Sequence, residues 1–251
     1  MSSNSKIFEQ FLLLGIEAII FDCDGVLVDT ESIKYEAWRS ALEEQGIDNY
    51  TLDYHVHYVG LESKTMLQLL SKELGRELPA SIITRKREIY AEIKNDTTPM
   101  HAMVAIVKKM YALKDDLHIK IWLASGEFEK NIRHNLWVTW LEDVFEVIVS
   151  GSEHLGVYID PEWINKPKPY IYLEAAKQLW VLPTKCIVIE DTAVGVQAAK
   201  DAGMKVIAVP NKYSEDGDFS KADYIYPVWL LSFKGLMESI ISLTENMIIL
   251  K

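Results

Sequence analysis

The sequence predicts an α/β fold in which a doubly wound parallel sheet carries an inserted helical domain. Two observations lead to this prediction. Short apolar runs of strand length alternate with longer helical patterns through most of the chain, as expected for successive βαβ units. The segment from residue 31 to residue 97 breaks this alternation, because it contains helical patterns and no convincing strand.

The elements of the predicted sheet are read from the apolar runs. The strand-like runs are residues 16–22, 119–125, 145–151, 185–191 and 205–210. The helical stretches between them include residues 102–113, 169–180 and 193–202. Sheets of this kind bind ligands at the carboxyl ends of their strands. Functional side chains are therefore expected where these runs end.

The helical segment is interpreted as a domain inserted after the first strand. We expect residues 31–97 to form a helical cap and residues 1–30 with 98–251 to form the α/β core. The hinges would lie near Thr30 and near residues 97–99. Because the insertion follows the first strand so closely, the cap would cover the strand ends.

Composition restricts the class of protein. The 251 residues are 49% hydrophobic and 25% charged, which is typical of a globular chain. A formal net charge of -11, from 26 basic and 37 acidic side chains, disfavours nucleic acid and membranes as partners. Glu9 and Glu17 interrupt the apolar N-terminal stretch, so we predict a short helix up to Leu14 and no signal or membrane segment. Cys23 and Cys186 suit buried thiols, and we expect a cytoplasmic monomer.

Four tryptophans outside the helical segment are expected to pack in the core or at the cap interface. They are Trp137, Trp140, Trp163 and Trp180. The expectation rests on the large apolar area that an indole ring can bury.

Carboxylates follow two of the predicted strands. Asp22 and Asp24 end the first strand, and Glu190 with Asp191 ends another. The fold can gather all four in one crevice, and that much like charge requires a cation. Oxygen ligands suit a hard ion, and Mg²⁺ is the natural choice because it often binds substrate phosphate as well.

Two further segments suit an anionic substrate. Lys166 lies in the proline-stiffened segment NKPKP before a helix, where it could neutralise a phosphate. Ser125 ends a strand and is followed by Gly126, so a hydroxyl and backbone amides lie near a helix start. Carboxylates, a metal ion, a lysine and a serine at strand ends predict a phosphoryl-transfer site.

The motifs DCDGVLVDTE, KPKP and IEDTAVGVQAAKDAG occur in this order. The chain thereby resembles the haloacid dehalogenase superfamily, in its β-phosphoglucomutase-like phosphatase branch with a helical cap. The resemblance covers about residues 16–227 and implies a Rossmann-like core. It implies that Asp22 is the nucleophile, that Asp24 is the general acid/base, and that Ser125 and Lys166 bind phosphate.

The resemblance also implies a set of metal ligands. They are Asp22, Asp24 and Asp191, with Glu190 either as a direct ligand or as a residue that orients the others. We favour the orienting role for Glu190.

The chemistry of these residues supports a phosphate-ester hydrolase. An aspartate that attacks phosphorus forms an aspartyl-phosphate and divides the displacement into two easier steps. Asp24 would protonate the leaving alkoxide and then activate water, which is worth about 10²- to 10⁴-fold. Dehalogenation needs no such proton, so Asp24 argues for phosphate esters. We therefore predict a Mg²⁺-dependent phosphatase for a small phosphorylated metabolite, with sugar phosphates favoured.

Two other functions stay open. Mutases of the family usually carry a histidine four residues before the first cap tryptophan, whereas this chain has Lys34 before Trp38. That difference favours a phosphatase over a β-phosphoglucomutase-like mutase. A protein of another class would bind or sense a phosphometabolite without turnover, and the set of Asp22, Asp24, Lys166 and Asp191 argues against it.

The chain departs from its family around the site. Met100 and His101 stand where relatives have a proline-glycine pair, and Tyr170 replaces an aspartate. Residues 152–165 are inserted before the lysine, and Asn165 replaces a glycine. These changes weaken any inference of substrate from relatives.

A segment of the cap is the candidate for substrate recognition. In residues 58–66, a turn at Gly60 precedes a helix, and Ser63 and Lys64 could hydrogen-bond a polar, sugar-like group. The same residues could equally be an exposed helix start.

Overall fold

The computed structural model describes residues 15–160, 164–226 and 230–248. The helix predicted up to Leu14, and Trp163, lie outside these residues. The chain divides into two compact units. The first comprises the described residues up to Val28 and from Pro99 onward, and the second is Asp29–Thr98.

The first unit contains a parallel sheet of six strands. The strands of the chain are β1 (Ala18–Phe21), β2 (Val28–Asp29), β3 (Thr98–Pro99), β4 (Lys120–Ser125), β5 (Ile148–Ser150), β6 (Cys186–Glu190), β7 (Lys205–Ala208) and β8 (Tyr224–Ile225). The order in the sheet is β5-β4-β1-β6-β7-β8, with parallel pairing throughout, while β2 and β3 form a separate two-stranded sheet. The predicted fold class is confirmed.

Helices alternate with these strands. They are α1 (Glu31–Glu43), α2 (Leu52–His55), α3 (Ser63–Glu73), α4 (Ser81–Ile93), α5 (His101–Leu117), α6 (Glu129–Thr139), α7 (Tyr170–Leu179), α8 (Ala193–Asp201) and α9 (Phe233–Ile248). Short 3₁₀ turns occur at Val56–Tyr58, Lys94–Asp96 and Pro183–Lys185.

Both faces of the parallel sheet are buried. Ile19 and Phe21 of β1 belong to one apolar cluster, which also contains side chains of α5, α6 and α9. Ala18 and Ile20 belong to a second cluster with side chains of α7 and α8. Successive strand residues point to opposite faces, so β1 contributes to both clusters. This double burial leaves the strand ends as the place for polar groups.

The second unit consists of α1 to α4 around its own apolar cluster, which includes Trp38, Leu42 and Leu70. Residues 31–97, all of which the structure describes, contain helices and no strand. None of the helices within the described parts of the chain is long and apolar enough to cross a membrane.

A charged group is buried in this helical unit. Glu31 Oε1 lies 2.9 Å from His55 Nε2, and Lys34 Nζ lies 3.5 Å from Glu31 Oε2. Burial alone would raise the pKa of Glu31, but Lys34 and His55 reverse this effect and lower it to about 2. Lys34 therefore has an anionic partner on its own helix.

The expectation that the tryptophans are buried is wrong for the three that the structure describes. Trp137, Trp140 and Trp180 are 62%, 80% and 93% exposed. Trp140 and Trp180 terminate helices in the left-handed conformation, with φ of 58° and 57°. At such helix ends the following residue makes the apolar contact, and here Leu141 and Val181 are buried instead.

Candidate active site

The carboxyl edge of the sheet brings together Asp22, Lys166 and Glu190. Asp22 follows β1, and its N–H donates to Ile189 O of β6 at 3.0 Å. Lys166 Nζ lies 2.6 Å from Asp22 Oδ1 and 2.5 Å from Glu190 Oε1. Because β1 and β6 are neighbours in the sheet, the two acidic motifs meet at one point.

Burial dominates the electrostatics of this cluster. The side chains of Asp22, Lys166 and Glu190 are 7%, 11% and 1% exposed. Burial raises the pKa of Asp22, Lys166 offsets part of the rise, and Glu190 and Asp24 add to it. Burial lowers the pKa of Lys166, but Asp22 and Glu190 more than offset this and hold it well above its usual value. Lys166 is therefore a fixed cation beside a carboxylate that is costly to ionise.

Asp191 is held in place by Gly25 and Asn211. Gly25 has a φ of +76°, which favours glycine, and a Cβ there would overlap the Asp191 carboxylate. Asn211 Nδ2 donates to Asp191 Oδ2 at 2.8 Å and to Gly25 O at 3.2 Å. The glycine after the two aspartates thus permits the close approach of a carboxylate from β6 and is not only a turn residue.

Glu190 is surrounded by hydrogen-bond donors. Its Oε2 accepts from the N–H and the hydroxyl of Thr192 at 2.8 and 3.0 Å. Its Oε1 accepts from Lys166 Nζ at 2.5 Å and from the Tyr172 hydroxyl at 3.1 Å. A carboxylate has about four lone-pair positions, so these donors use its whole capacity. A Cβ at Gly195 would overlap this carboxylate as well. The arrangement favours an orienting role for Glu190 over direct metal binding.

Asp24 and Ser125 form a second contact at the same edge of the sheet. Ser125 ends β4, the other neighbour of β1. The Ser125 hydroxyl donates to Asp24 Oδ2 at 3.3 Å and accepts from the Glu127 N–H at 3.2 Å. Ser125 is 1% exposed. The predicted acid/base and the predicted phosphate-binding hydroxyl therefore lie together.

Asn165, which stands where relatives have glycine, links the loops that carry Gly126 and Lys166. Asn165 Oδ1 accepts from the Lys166 N–H at 2.9 Å. Its Nδ2 donates to Gly126 O at 3.3 Å. The same side chain packs against Gly151, where a Cβ would lie 2.8 Å from Asn165 Oδ1. The departure from the family pattern thus adds a contact between the two predicted phosphate-binding segments.

The predicted recognition residues Gly60, Ser63 and Lys64 lie in the helical unit. Gly60 has a φ of 83°, and Ser63 begins α3. The residue before it, Glu62, makes no side-chain capping bond to this helix. Ser63 is half-buried and Lys64 is exposed. Their assignment to substrate binding stays a prediction.

Sequence reasoning missed Asn211, Tyr172 and Thr192 as parts of this site. Thr192 carried a signal, because a threonine directly after the acidic pair begins a helix and caps it by accepting from the Gly195 N–H at 3.2 Å. Tyr172 carried a weaker one, since a tyrosine on a buried helix face needs a partner for its hydroxyl. Asn211 follows Pro210 in a loop and carried none.

The residues present fit a divalent cation. Asp22, Glu190 and Asp191 each offer an oxygen within 4.8 Å of those of the others, and all three are buried. Hard carboxylate oxygens suit Mg²⁺. Because Glu190 is already saturated with donors, Asp22 and Asp191 are the members of this group best placed to bind the ion.

The fold and the site define a hydrolase of the α/β class with carboxylates and a lysine at its strand ends. The family model of haloacid dehalogenase-like hydrolases matches residues 19–209. The chain is 33% identical to the phosphorylated carbohydrates phosphatase of Thermotoga maritima, over 76% of this chain and 84% of that protein. It is 30% identical to the β-phosphoglucomutase of Bacillus subtilis, over 77% and 83%.

A solved structure is similar as well. The β-phosphoglucomutase of Clostridium difficile aligns with a TM-score of 0.72 and 25% identity, over 93% of this chain and 99% of that one. The chain belongs to the haloacid dehalogenase-like hydrolases, in the β-phosphoglucomutase-like branch. By enzyme class it is a phosphoric monoester hydrolase.

Proposed function

We propose that this protein is a Mg²⁺-dependent phosphatase that hydrolyses a small phosphorylated metabolite, with sugar phosphates the favoured class. The observation that carries the proposal is the buried carboxylate of Asp22, which is paired with Lys166 at 2.6 Å beside Asp191. The similarity to a phosphatase named for phosphorylated carbohydrates supports the substrate class.

In the first half of the proposed reaction, an Asp22 oxygen attacks phosphorus and the bond from phosphorus to the ester oxygen breaks. The leaving alkoxide takes a proton from Asp24, and an aspartyl-phosphate stays on Asp22. In the second half, Asp24 accepts a proton from water as that water attacks phosphorus, and inorganic phosphate leaves. Asp24 begins and ends the cycle protonated, so no other proton donor is needed.

The other site residues would hold the transferring group. Lys166 and the Ser125 hydroxyl would bind the phosphate, with backbone amides near Gly126. Asp22, Asp24 and Asp191 would hold Mg²⁺, with Glu190 orienting Lys166. The bound ion would offset the negative charge of the phosphoryl oxygens and of the carboxylates.

The division of labour between the units is also part of the proposal. Residues 1–30 and 98–251 would carry the chemistry, and residues 31–97 would act as a cap that selects the substrate. Within the cap, Gly60, Ser63 and Lys64 are the proposed recognition residues. A monomeric, cytoplasmic protein is the proposed setting, which the buried free thiols of Cys23 and Cys186 support.

The wild-type protein is expected to release p-nitrophenol from p-nitrophenyl phosphate when Mg²⁺ is present, since a generic aryl ester tests the chemistry without the specificity of the cap. Absorbance measures the rate. A folded protein that binds phosphate without any turnover would favour the non-catalytic alternative. A screen of phosphorylated metabolites would then rank substrates.

The mutase alternative is tested with β-glucose 1-phosphate, Mg²⁺ and a trace of the glucose bisphosphate. Mutases protect the aspartyl-phosphate from water, and here Lys34 replaces the usual histidine and pairs with Glu31. We expect any β-glucose 1-phosphate that is consumed to lose its phosphate. NMR measures free phosphate against glucose 6-phosphate, with Asp22→Asn as the blank. Clean isomerisation with negligible free phosphate would contradict the phosphatase proposal.

A further inference from the structure

Tyr172 lies directly behind the reactive cluster and belongs to none of the roles assigned above. Its side chain is completely buried in α7. Its hydroxyl is 3.1 Å from Glu190 Oε1, the same oxygen that Lys166 Nζ contacts at 2.5 Å. The Lys166 ammonium also lies 5.1 Å from the centre of the Tyr172 ring. One side chain therefore contacts both the lysine and the carboxylate that holds it.

The hydroxyl acts as a donor in this position. Burial raises the pKa of Tyr172 well above its usual value, and the Glu190 carboxylate raises it further. Tyr172 is thus neutral and donates its proton to Glu190. The ring offers its electron-rich face to Lys166, which is favourable for a desolvated ammonium.

These two contacts limit how Lys166 divides itself between its carboxylates. Lys166 is shared between Asp22 and Glu190 at nearly equal distances. The Tyr172 hydroxyl satisfies part of the hydrogen-bonding capacity of Glu190 Oε1. Without it, Glu190 would attract the ammonium more strongly and draw it from Asp22, where the proposed phosphate must bind.

We propose that Tyr172 is a positioning residue that holds Lys166 between Glu190 and Asp22 for phosphate binding. The inference deepens the proposed function and rests on it. The opposing interpretation is that Tyr172 only fills the core beneath the site. The change Tyr172→Phe separates the two, because it keeps the ring and the packing and removes the hydroxyl alone.

The test compares the wild type with Tyr172→Phe and with a matched control, Tyr158→Phe. Tyr158 also donates its hydroxyl to a glutamate, at 3.0 Å from Glu174 Oε2, and has no role in the proposed site. The probe is inorganic phosphate in the presence of Mg²⁺, measured by isothermal titration calorimetry. We expect Tyr172→Phe to bind phosphate about tenfold more weakly and to lower kcat about tenfold, while Tyr158→Phe stays within about twofold of the wild type.

A second measurement covers loss of stability in the variant. Phosphate raises the melting temperature of a protein that binds it, and each variant is compared with its own phosphate-free sample. A smaller rise in Tyr172→Phe than in Tyr158→Phe is expected. Equal phosphate affinity and equal kcat in Tyr172→Phe and the wild type would overturn the role of Tyr172. A wild type that binds phosphate but hydrolyses no ester would refute the proposed function alone, and one that binds no phosphate would refute both.

Discussion

Asp22→Asn is expected to abolish turnover, with kcat lower by about a thousandfold or more, while the protein stays folded. An amide nitrogen or a neutral amide oxygen cannot replace the attacking carboxylate, so no aspartyl-phosphate can form. The fold should survive because asparagine has nearly the same shape and Lys166 keeps Glu190 as a partner at 2.5 Å. The measurement is phosphatase activity together with a thermal melt.

The matched control for this change is Asp116→Asn. Asp116 lies exposed on α5, so its substitution changes the same charge at a position outside the site. Its activity should equal that of the wild type. If Asp22→Asn turned over at a rate near that of the wild type, the assignment of the nucleophile would be wrong.

Removal of the metal is expected to have an effect of similar size. Treatment with EDTA should abolish activity, and added Mg²⁺ should restore it, because the buried carboxylates otherwise repel an anionic substrate. Isothermal titration calorimetry of Mg²⁺ provides a readout besides activity. Asp191→Asn should weaken Mg²⁺ binding strongly, since it removes one of the buried carboxylates of the site.

Asp201→Asn is the control for the metal experiment, because Asp201 is exposed at the end of α8. It should bind Mg²⁺ as the wild type does. Full activity in metal-stripped protein would remove the ion from the mechanism, and unchanged Mg²⁺ affinity in Asp191→Asn would remove Asp191 from the metal site.

Much of the fold and part of the site could be predicted because they depend on local patterns. The apolar run before Asp22 is long enough for a strand and too short for a helix, and the predicted run 185–191 contains β6. In a parallel sheet, the residues after such runs come to one edge. The proximity of Asp22 and Glu190, each within hydrogen-bond distance of Lys166, follows from that rule.

The exposure of the tryptophans could not be predicted in the same way. Trp140 and Trp180 are apolar residues at the ends of amphipathic helices, where composition suggests burial. The left-handed backbone at these positions turns the side chain out and buries the next residue instead. That conformation is unusual for tryptophan, so the identity of the residue gives no indication of it.

The sequence by itself determined the parallel α/β architecture, the helical insertion and the acidic motifs at strand ends, because each depends on residues close together in the chain. Only the tertiary structure decided which groups surround those motifs. Asn211 reaches Gly25 across 186 positions, and Tyr172 reaches Glu190 across 18. Such contacts depend on strand order and on side-chain directions in three dimensions, and hydrophobic periodicity records neither. The saturation of Glu190 and the sharing of Lys166 therefore became visible only when the strands were assembled.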